Sequence, residues 1–244
     1  MRTVRAAPHV HSEWSYDAEW PLADLVAAFR ERKYDAILTA EHDRGFDAAR
    51  WDAYREACAA ASTDEVLVVP GMEYEDAESL VHIPVWGEAL AFLGAARPTE
   101  ELLRDAKAAD AFTVFAHPAR RNAGAAFNPD WTPLLNAVEV WNRHYDGIAP
   151  YPGGRLLAAE QGLRPFVALD FHTRRQFFPL AMLIDVDEPV TTATVVQRAA
   201  PARATPQTSA GARRSEAGSS SPPAENGRRS SSTSSGKRTR SLQA

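Results

Sequence analysis

Residues 20–43, WPLADLVAAFRERKYDAILTAEHD, form the unit that decides the fold. After Pro21, a residue suited to a first helical turn, apolar side chains recur at the i, i+3, i+4, i+7 spacing of an amphipathic helix. These side chains are Leu22, Leu25, Val26 and Phe29. The short apolar run at 36–39 then predicts a buried strand, and His42 follows it by three residues. The unit is therefore a helix, a buried strand and a metal-binding type of side chain at the strand's end.

The same alternation continues along the chain. Apolar and β-branched runs predict further strands at 66–69, 80–86, 112–116, 137–141, 166–169 and 180–184. Helices are predicted at 46–61, at 99–109 with Thr99 as N-cap, and at 154–161 with Gly162 as the C′ residue. Pro70-Gly71 predicts a turn. Alternating strands and helices indicate the α/β class, a mostly parallel sheet and a barrel wrapped by helices, with its chemistry at the carboxyl ends of the strands.

The composition changes near residue 200. The 244 residues carry a net charge of −5, but residues 201–244 hold eight basic residues against two acids, which leaves −11 for residues 1–200. That last segment also has eleven serines, no aromatic residue and one large aliphatic residue, Leu242, too little apolar surface to offset the entropy of ordering it. We therefore expect one domain over residues 1–195 and a disordered tail rich in Ser, Arg and Pro over residues 196–244.

Charge, hydropathy and cysteine content narrow the functional classes. An acidic domain argues against binding bulk duplex nucleic acid. No run approaches the roughly 18 apolar residues that would cross a bilayer, so we expect no membrane partner. The single cysteine, Cys58, permits no intramolecular disulfide, which favours a reducing compartment, the cytoplasm. The sequence leaves the oligomeric state open.

Metal-binding side chains cluster at the predicted strand ends. Seven such groups follow five strands: His9 and His11, His42, Glu73, His117, and the pair Asp170 and His172, with His82 on the strand after Glu73 as an eighth. The spacing of His9 and His11 places both on one face of a strand. Each histidine alone is typical of an ordinary core or surface residue. Their joint occurrence at equivalent strand ends predicts a metal centre.

These motifs resemble the series of the PHP family, the polymerase and histidinol phosphatase domain. The matching segments are His9-Val-His11-Ser-Glu-Trp-Ser15-Tyr-Asp17, Ile37-Leu-Thr-Ala-Glu-His42-Asp43, Gly71-Met-Glu73, His82, Phe115-Ala-His117-Pro118 and Leu169-Asp170-Phe-His172. They cover residues 1–190 in the family's order. The resemblance implies a distorted (βα)7 TIM-like barrel with two or three divalent metal ions, Zn, Mn or Fe, at the carboxyl ends of its strands.

The resemblance also assigns the ligands. It implies one metal on His9, His11, Glu73 and Asp170, a second on Glu73, His82 and His117, and a third on Asp17, His42 and His172. Two departures from the family pattern bear on this assignment. The approach to His42 is one residue longer than usual, because Ala40 and Glu41 stand where the family has one residue. Bulky Leu169 and Phe171 flank Asp170 where small residues are common, so we expect the cleft to differ in shape.

The activity implied is hydrolysis of a small phosphate ester by a metal-bridging hydroxide. Nucleotides, nucleoside bisphosphates, short oligonucleotides and compounds like histidinol phosphate are the expected substrates, with Glu73, Asp170 and His172 as the catalytic residues. The loops after two ligand motifs carry arginines that fit phosphate bidentately. These are Arg120, Arg121, Arg174 and Arg175. His144, at another strand end, is a candidate for lining the cleft.

Two other classes of function stay open at the level of sequence. A related metallohydrolase, PHP-like or amidohydrolase-like, would attack a carboxylester, carbamate or amide with the same chemistry. Two-metal amidohydrolases commonly need a lysine at a mid-barrel strand end, and neither Lys33 nor Lys107 stands there. A binding domain that the metals merely stabilise would be expected to have lost some ligands, and this sequence retains all nine.

Overall fold

Eleven strands and six α-helices form residues 1–199 and 203–206, the part of the chain that the computed structural model describes. The strands are β1 (Arg2–Val10), β2 (Ala36–Thr39), β3 (Glu41–His42), β4 (Leu67–Val69), β5 (Gly71–Glu75), β6 (His82–Trp86), β7 (Phe112–Phe115), β8 (Ala137–Asn142), β9 (Arg164–Ala168), β10 (Leu180–Val186) and β11 (Arg203–Pro206). The helices are α1 (Leu22–Glu31), α2 (Ala48–Ala61), α3 (Thr99–Ala108), α4 (Arg143–Asp146), α5 (Pro152–Gln161) and α6 (Thr192–Ala199). The predicted α/β class is confirmed.

The strands form two mixed sheets, and the chain passes directly from the first sheet to the second at two points. One sheet has the order β11-β10-β1-β2-β4 and the other β3-β5-β6-β7-β8-β9. Only Ala40 separates β2 from β3 and only Pro70 separates β4 from β5, so both stretches pass from the first sheet into the second. The segment after β9 returns to β1, where the amide of Leu169 donates to the carbonyl of Pro8 at 3.0 Å. The carboxyl ends of β1 and β9 therefore lie side by side.

The prediction of a mostly parallel sheet is wrong in two places. β6 pairs antiparallel with both β5 and β7, and β10 pairs antiparallel with β1. The connection between β5 and β6 is residues 76–81, which is too short for a helical crossover, so the two strands form a hairpin. Pro70-Gly71, predicted as a turn, instead joins two strands.

Local signals otherwise predicted the elements well. All four apolar residues of the α1 stripe are buried, and Gly162 ends α5 in the left-handed conformation at φ 64°, as predicted. Thr99 is the first residue of α3 rather than its cap, a position that Pro98 takes. The central strands are almost wholly buried, which explains why they read as continuous apolar runs rather than alternating ones.

The described elements extend past the predicted domain boundary at residue 195. That residue lies inside α6, which buries Val195, Val196 and Ala199, and the backbone of β11 pairs antiparallel with β10. The remainder of the predicted tail, residues 200–202 and 207–244, lies outside the described residues. Within the described part of the chain, no helix is long and apolar enough to cross a bilayer.

Gly71 sits at the junction of β4 and β5, directly before the strand that carries Glu73. A Cβ there would collide with the indole of Trp86 and with the carbonyl oxygen of Thr39, to which that indole donates at 2.7 Å. Gly71→Ala is expected to lower the free energy of unfolding by about 1–3 kcal/mol, because neither neighbour can move freely. Urea denaturation measures the difference. The exposed Ala159→Ser is the control, expected within about 0.5 kcal/mol of wild type. An equally small effect of Gly71→Ala would contradict the tight packing.

Candidate metal centre

The strand ends bring all nine predicted ligand side chains into one cluster. Their nitrogen and oxygen atoms fall into overlapping groups in which the atoms lie within 4.8 Å of one another. The nine are His9, His11, Asp17, His42, Glu73, His82, His117, Asp170 and His172. Glu75 and His144 join the same groups, and Glu75 was missed by the sequence argument. Its position two residues after Glu73 on a strand was the available signal, since such residues share a face.

The carboxylate of Glu73 lies at the centre of the cluster. Its Oε1 is 3.0 Å from Nε2 of His117, 3.2 Å from Nδ1 of His82 and 3.4 Å from Nε2 of His9. Its Oε2 is 3.2 Å from Nδ1 of His42. The side chain is 1% exposed, so it is surrounded by imidazoles rather than by water.

Several buried polar atoms around Glu73 have no hydrogen-bond partner among the described residues. They are Nε2 of His9, Nε2 of His11, Nδ1 of His42, Oε2 of Glu73, Oε1 of Glu75, Nδ1 of His82 and Nδ1 of His117. Leaving so many buried groups unpaired is costly, and native proteins leave few. All seven are imidazole nitrogens or carboxylate oxygens, the donors that bind Zn, Mn or Fe. The residues therefore fit divalent cations.

The electrostatics of the cluster favour ionised acids. Burial alone would raise the pKa of Glu73, but the nearby His9 and His82 outweigh it and hold that pKa well below its usual range. The same balance, with His9 and His11 beside the carboxylate, lowers the pKa of Asp170. Burial, with His172 and His42 nearby, lowers the pKa of His11 to about 3. Ionised carboxylates and a neutral imidazole are the forms that bind metal ions.

Three of the predicted ligands have strained backbones. His9, His117 and Asp170 adopt positive φ values of 57°, 27° and 50°. Such values cost non-glycine residues free energy, and they cluster at functional sites where the surrounding structure holds them. At His9 the strain accompanies a shift in the β1–β2 register between Pro8 and Val10. The face shared by His9 and His11 is therefore produced by an irregular strand end, not by the simple alternation that the sequence argument assumed.

Glu139 supports the cluster from behind, and the sequence argument missed it. One of its oxygens is 2.7 Å from Nδ1 of His9, and the other accepts from the amide of His117 at 2.7 Å and from Nδ2 of Asn142 at 2.8 Å. The same Asn142 amide lies 3.2 Å from Asp170. The sequence feature that could have identified Glu139 is its place as a single acid inside the apolar run Ala-Val-Glu-Val-Trp. A charge buried in a strand needs polar partners nearby.

The additional residue before His42 has a structural role. Glu41 is buried and accepts from Oγ of Ser12 at 2.5 Å and from Oγ of Ser15 at 2.6 Å. Burial raises the pKa of Glu41. Oγ of Ser15 also accepts from the amide of His42 and lies 3.1 Å from Nδ1 of His11. Through these hydrogen bonds, Glu41 holds the loop that follows β1 against the strand that carries His42.

A cavity of about 390 Å³ opens onto the cluster. Arg120, His144, Tyr16 and Tyr145 line it together with seven of the nine predicted ligands, all except His9 and His11. Among the predicted arginines, Arg120 alone lines this cavity. Arg121 is exposed, has φ 46° and donates to the carbonyl of Ser79 at 3.1 Å.

The other two predicted arginines line a neighbouring cavity of about 450 Å³. The guanidinium of Arg174 lies over the ring of Trp20, 4.9 Å from its centroid, and Arg175 lies beside it. Asp17 and His172 line both cavities, so the two spaces adjoin.

Comparison with solved structures identifies the fold. The chain is similar to PsfC from Pseudomonas syringae, with 18% identity, 83% of this chain and 90% of that chain covered, and a TM-score of 0.63. It is also similar to a two-domain protein from Bacteroides vulgatus containing a predicted PHP-like metal-dependent phosphoesterase, with 18% identity and a TM-score of 0.58 over 82% of this chain and 62% of that one. The chain thus spans less than two thirds of that protein. The resemblance to PHP proteins is confirmed at the level of the fold.

A third similar structure is the lesion-specific endonuclease PfuEndoQ from Pyrococcus furiosus. It is 13% identical, with a TM-score of 0.53, and the match covers 82% of this chain and 55% of that one. No protein-family model and no curated protein matches the sequence.

Glu139→Gln tests how much the supporting carboxylate contributes to metal binding. The substitution keeps the shape of the side chain but removes the charge that orients His9, and such changes typically weaken metal affinity by about 10-fold to 100-fold. Competition with a chromogenic chelator measures the affinity. Glu160→Gln makes the same chemical change on the exposed surface of α5 and is expected to match wild type. Equal affinities in both variants would mean that Glu139 has only a packing role.

Proposed function

We propose that this protein is a PHP-type metal-dependent phosphoesterase that hydrolyses a small phosphate ester in the cavity beside Glu73. The observation that carries the proposal is the set of seven buried imidazole and carboxylate atoms at and around Glu73 that have no hydrogen-bond partner among the described residues. A centre with this many histidines and acids, open to a 390 Å³ cavity, suits a two-metal or three-metal hydrolase. Nucleotides, nucleoside bisphosphates, short oligonucleotides and compounds like histidinol phosphate are the proposed substrates.

The proposed architecture is a distorted seven-stranded barrel. The chain passes directly between the two sheets at Ala40 and at Pro70, which joins the sheets along one side. Backbone hydrogen bonds between the ends of β1 and β9 support closure on the other side. In this arrangement the ligands stand at the strand ends around the mouth of the barrel.

The ligand assignment follows the resemblance, with two or three ions of Zn, Mn or Fe. His9, His11, Glu73 and Asp170 would hold one, Glu73 would bridge to a second with His82 and His117, and Asp17, His42 and His172 would hold a third. Divalent ions held there would polarise phosphoryl oxygens and lower the pKa of a bound water.

The chain's own residues supply the remaining parts of the reaction. Glu73 and Asp170 are held ionised, so they supply fixed negative charge for cations that in turn attract a phosphate. His172 lines the cavity, and Asp17 and Asp170 raise its pKa against the opposing effect of burial. With two ions bound, it is therefore suited to give a proton to the leaving oxygen; with a third ion bound, His172 would serve as a ligand instead.

Arg120 is the proposed phosphate clamp. One nitrogen of its guanidinium donates to the carbonyl of Ser79 at 2.8 Å, which holds the planar group at the wall of the cavity. The remaining N–H groups can bind phosphoryl oxygens in pairs. Arg174 and Arg175, in the adjoining cavity, are proposed to contact a more distant part of the substrate.

No observation among the described residues favours the amidohydrolase alternative. Lys107 donates to the carbonyl of Pro133 at 2.8 Å from the exposed side of α3, and Lys33 follows α1, so neither lines the cavity. A carboxylester or carbamate substrate would use the same centre, and the assay below includes one.

The first test joins metal analysis to a substrate panel. The purified protein is expected to hold two or more equivalents of Zn, Mn or Fe by plasma mass spectrometry and to release phosphate from at least one ester when Mn²⁺ is supplied. His117→Ala removes a nitrogen 3.0 Å from Glu73 and is expected to lower kcat/KM about 100-fold or more, while Glu160→Gln leaves it unchanged. Fewer than two equivalents, together with no release from any phosphate ester, would refute the proposal. Hydrolysis of a carboxylester alone would favour the alternative class.

A second test compares neighbouring arginines. Arg120→Ala is expected to raise KM for the phosphate ester about tenfold, because a charge-assisted contact to the substrate is lost. Arg121→Ala is the matched control and is expected to change KM less than twofold, since that side chain does not line the cavity. Steady-state kinetics at fixed Mn²⁺ give both values. Equal effects in the two variants would remove Arg120 from the proposed site.

A further inference from the structure

Asn142, the last residue of β8, lies between the metal-binding cluster and the wall of the cavity, and its side chain is fully buried. Its Nδ2 donates to Oε2 of Glu139 at 2.8 Å and to Oδ2 of Asp170 at 3.2 Å. Its Oδ1 accepts from the backbone amides of His144 at 3.0 Å and Tyr145 at 3.1 Å. Both N–H groups and both lone pairs of this amide are therefore used.

The four partners allow only one orientation of the Asn142 amide. An ionised carboxylate accepts hydrogen bonds and donates none, whereas a backbone N–H only donates. The NH₂ group must therefore face Glu139 and Asp170, and the carbonyl oxygen must face the start of α4. An ionised aspartate and a leucine are close to asparagine in size, but neither offers both kinds of group.

The two oxygens of Asp170 face different surroundings. Oδ1 lies 3.5 Å from Nε2 of His11, 3.6 Å from Nδ1 of His172 and 3.8 Å from Nε2 of His9. The Nε2 atoms of His9 and His11 are buried without a hydrogen-bond partner among the described residues, so Oδ1 faces nitrogens that are suited to bind a metal ion. Oδ2 faces Asn142, its only hydrogen-bond donor in the part of the chain that the structure describes.

Asp170 depends on Asn142 more than Glu139 does. Without Asn142, Glu139 keeps two neighbours at 2.7 Å, Nδ1 of His9 and the amide of His117. Asp170 has a strained backbone at φ 50°, and no other described residue donates to its Oδ2. The terminal torsion of an aspartate is broad, so without Asn142 this carboxylate is free to turn. Fewer molecules then present Oδ1 to the histidines.

We propose that Asn142 is a positioning residue that orients Asp170 for metal binding, so that Oδ1 binds the ion while Oδ2 stays bonded to the protein. The inference rests on the proposed metal centre, in which Asp170 is a ligand, and it adds a residue that the resemblance does not name. Partners that orient a ligand in this way typically strengthen metal binding about 10-fold to 100-fold. Because the same amide caps α4, it also connects the metal centre to His144 and Tyr145 in the cavity wall.

Asparagine-to-serine variants test this role. Serine caps helices about as well as asparagine, so Asn142→Ser keeps the cap of α4, but its shorter side chain has no amide group to donate to Asp170. Asn128→Ser is the matched control, because Asn128 also caps a short helix, accepting from the amide of Asp130 at 3.0 Å, and does not line the cavity beside the cluster. The metal-free proteins are titrated with Zn²⁺ in competition with a chromogenic chelator.

Asn142→Ser is expected to bind one equivalent of Zn²⁺ about 10-fold to 100-fold more weakly and the others as wild type does, while Asn128→Ser matches wild type throughout. Asn142→Ala also lacks the cap, so it is expected to weaken the same equivalent to the same degree and to unfold at a lower urea concentration than Asn142→Ser. Binding of every equivalent by Asn142→Ser within threefold of wild type would overturn the inference. Equal weakening of every equivalent would also overturn it, because that result indicates a general loosening of the fold.

A measurement on wild type serves if Asn142→Ser does not fold, which circular dichroism of the metal-free protein shows. In protein labelled with ¹⁵N-asparagine, the side-chain amide signals of Asn142 are expected to shift as Zn²⁺ is added, and those of Asn128 to stay in place. Unshifted Asn142 signals at full metal loading would overturn the inference. Wild type that binds metal without hydrolysing any phosphate ester would defeat the proposed function alone, while unchanged Zn²⁺ binding in Asn142→Ser would defeat this inference alone.

Discussion

The carboxylate of Glu73, buried among imidazoles, is the interaction on which the rest of the structure depends. Burying a carboxylate costs free energy that nearby polar groups must offset. Here His117, His82 and His42 each lie within 3.2 Å of it. Those histidines come from three different strand ends. Holding them around one side chain requires the strands to converge, and it explains why His9, His117 and Asp170 accept strained backbones.

The mixed sheet is the means by which the ligands converge. In a purely parallel sheet, each crossover would bring one strand end to the cluster. The β5–β6 hairpin instead brings two neighbouring strands to it through a six-residue connection. Glu73 and Glu75 share one face of β5, and His82 opposes Glu75 at the start of β6. This hairpin supplies three side chains of the cluster, and its antiparallel pairing is the main departure from the parallel sheet predicted from the sequence.

The negative charge of the domain has a different meaning once these acids are located. Of the −11 carried by residues 1–200, several charges are concentrated at the cluster, which contains the carboxylates of Asp17, Glu73, Glu75 and Asp170, with Glu139 beside His9. Bound dications would reverse the local field, and Arg120 adds positive charge at the cavity wall. The net negative charge of the domain is therefore compatible with the proposed binding of a small phosphate.

The sequence by itself determined the alternation of helices and apolar strands, the positions of most elements and the nine side chains that meet, because these depend on local periodicity and on motifs that read along one segment. Glu75, Glu139 and the role of Glu41 were decided by the tertiary structure. Glu139 acts through contacts with His9 and Asn142 across strands, and a single acid in an apolar run does not show which partner it will have. The antiparallel course of β6 and the division of the four arginines between two cavities likewise depend on where the loops cross in space, which no local pattern encodes.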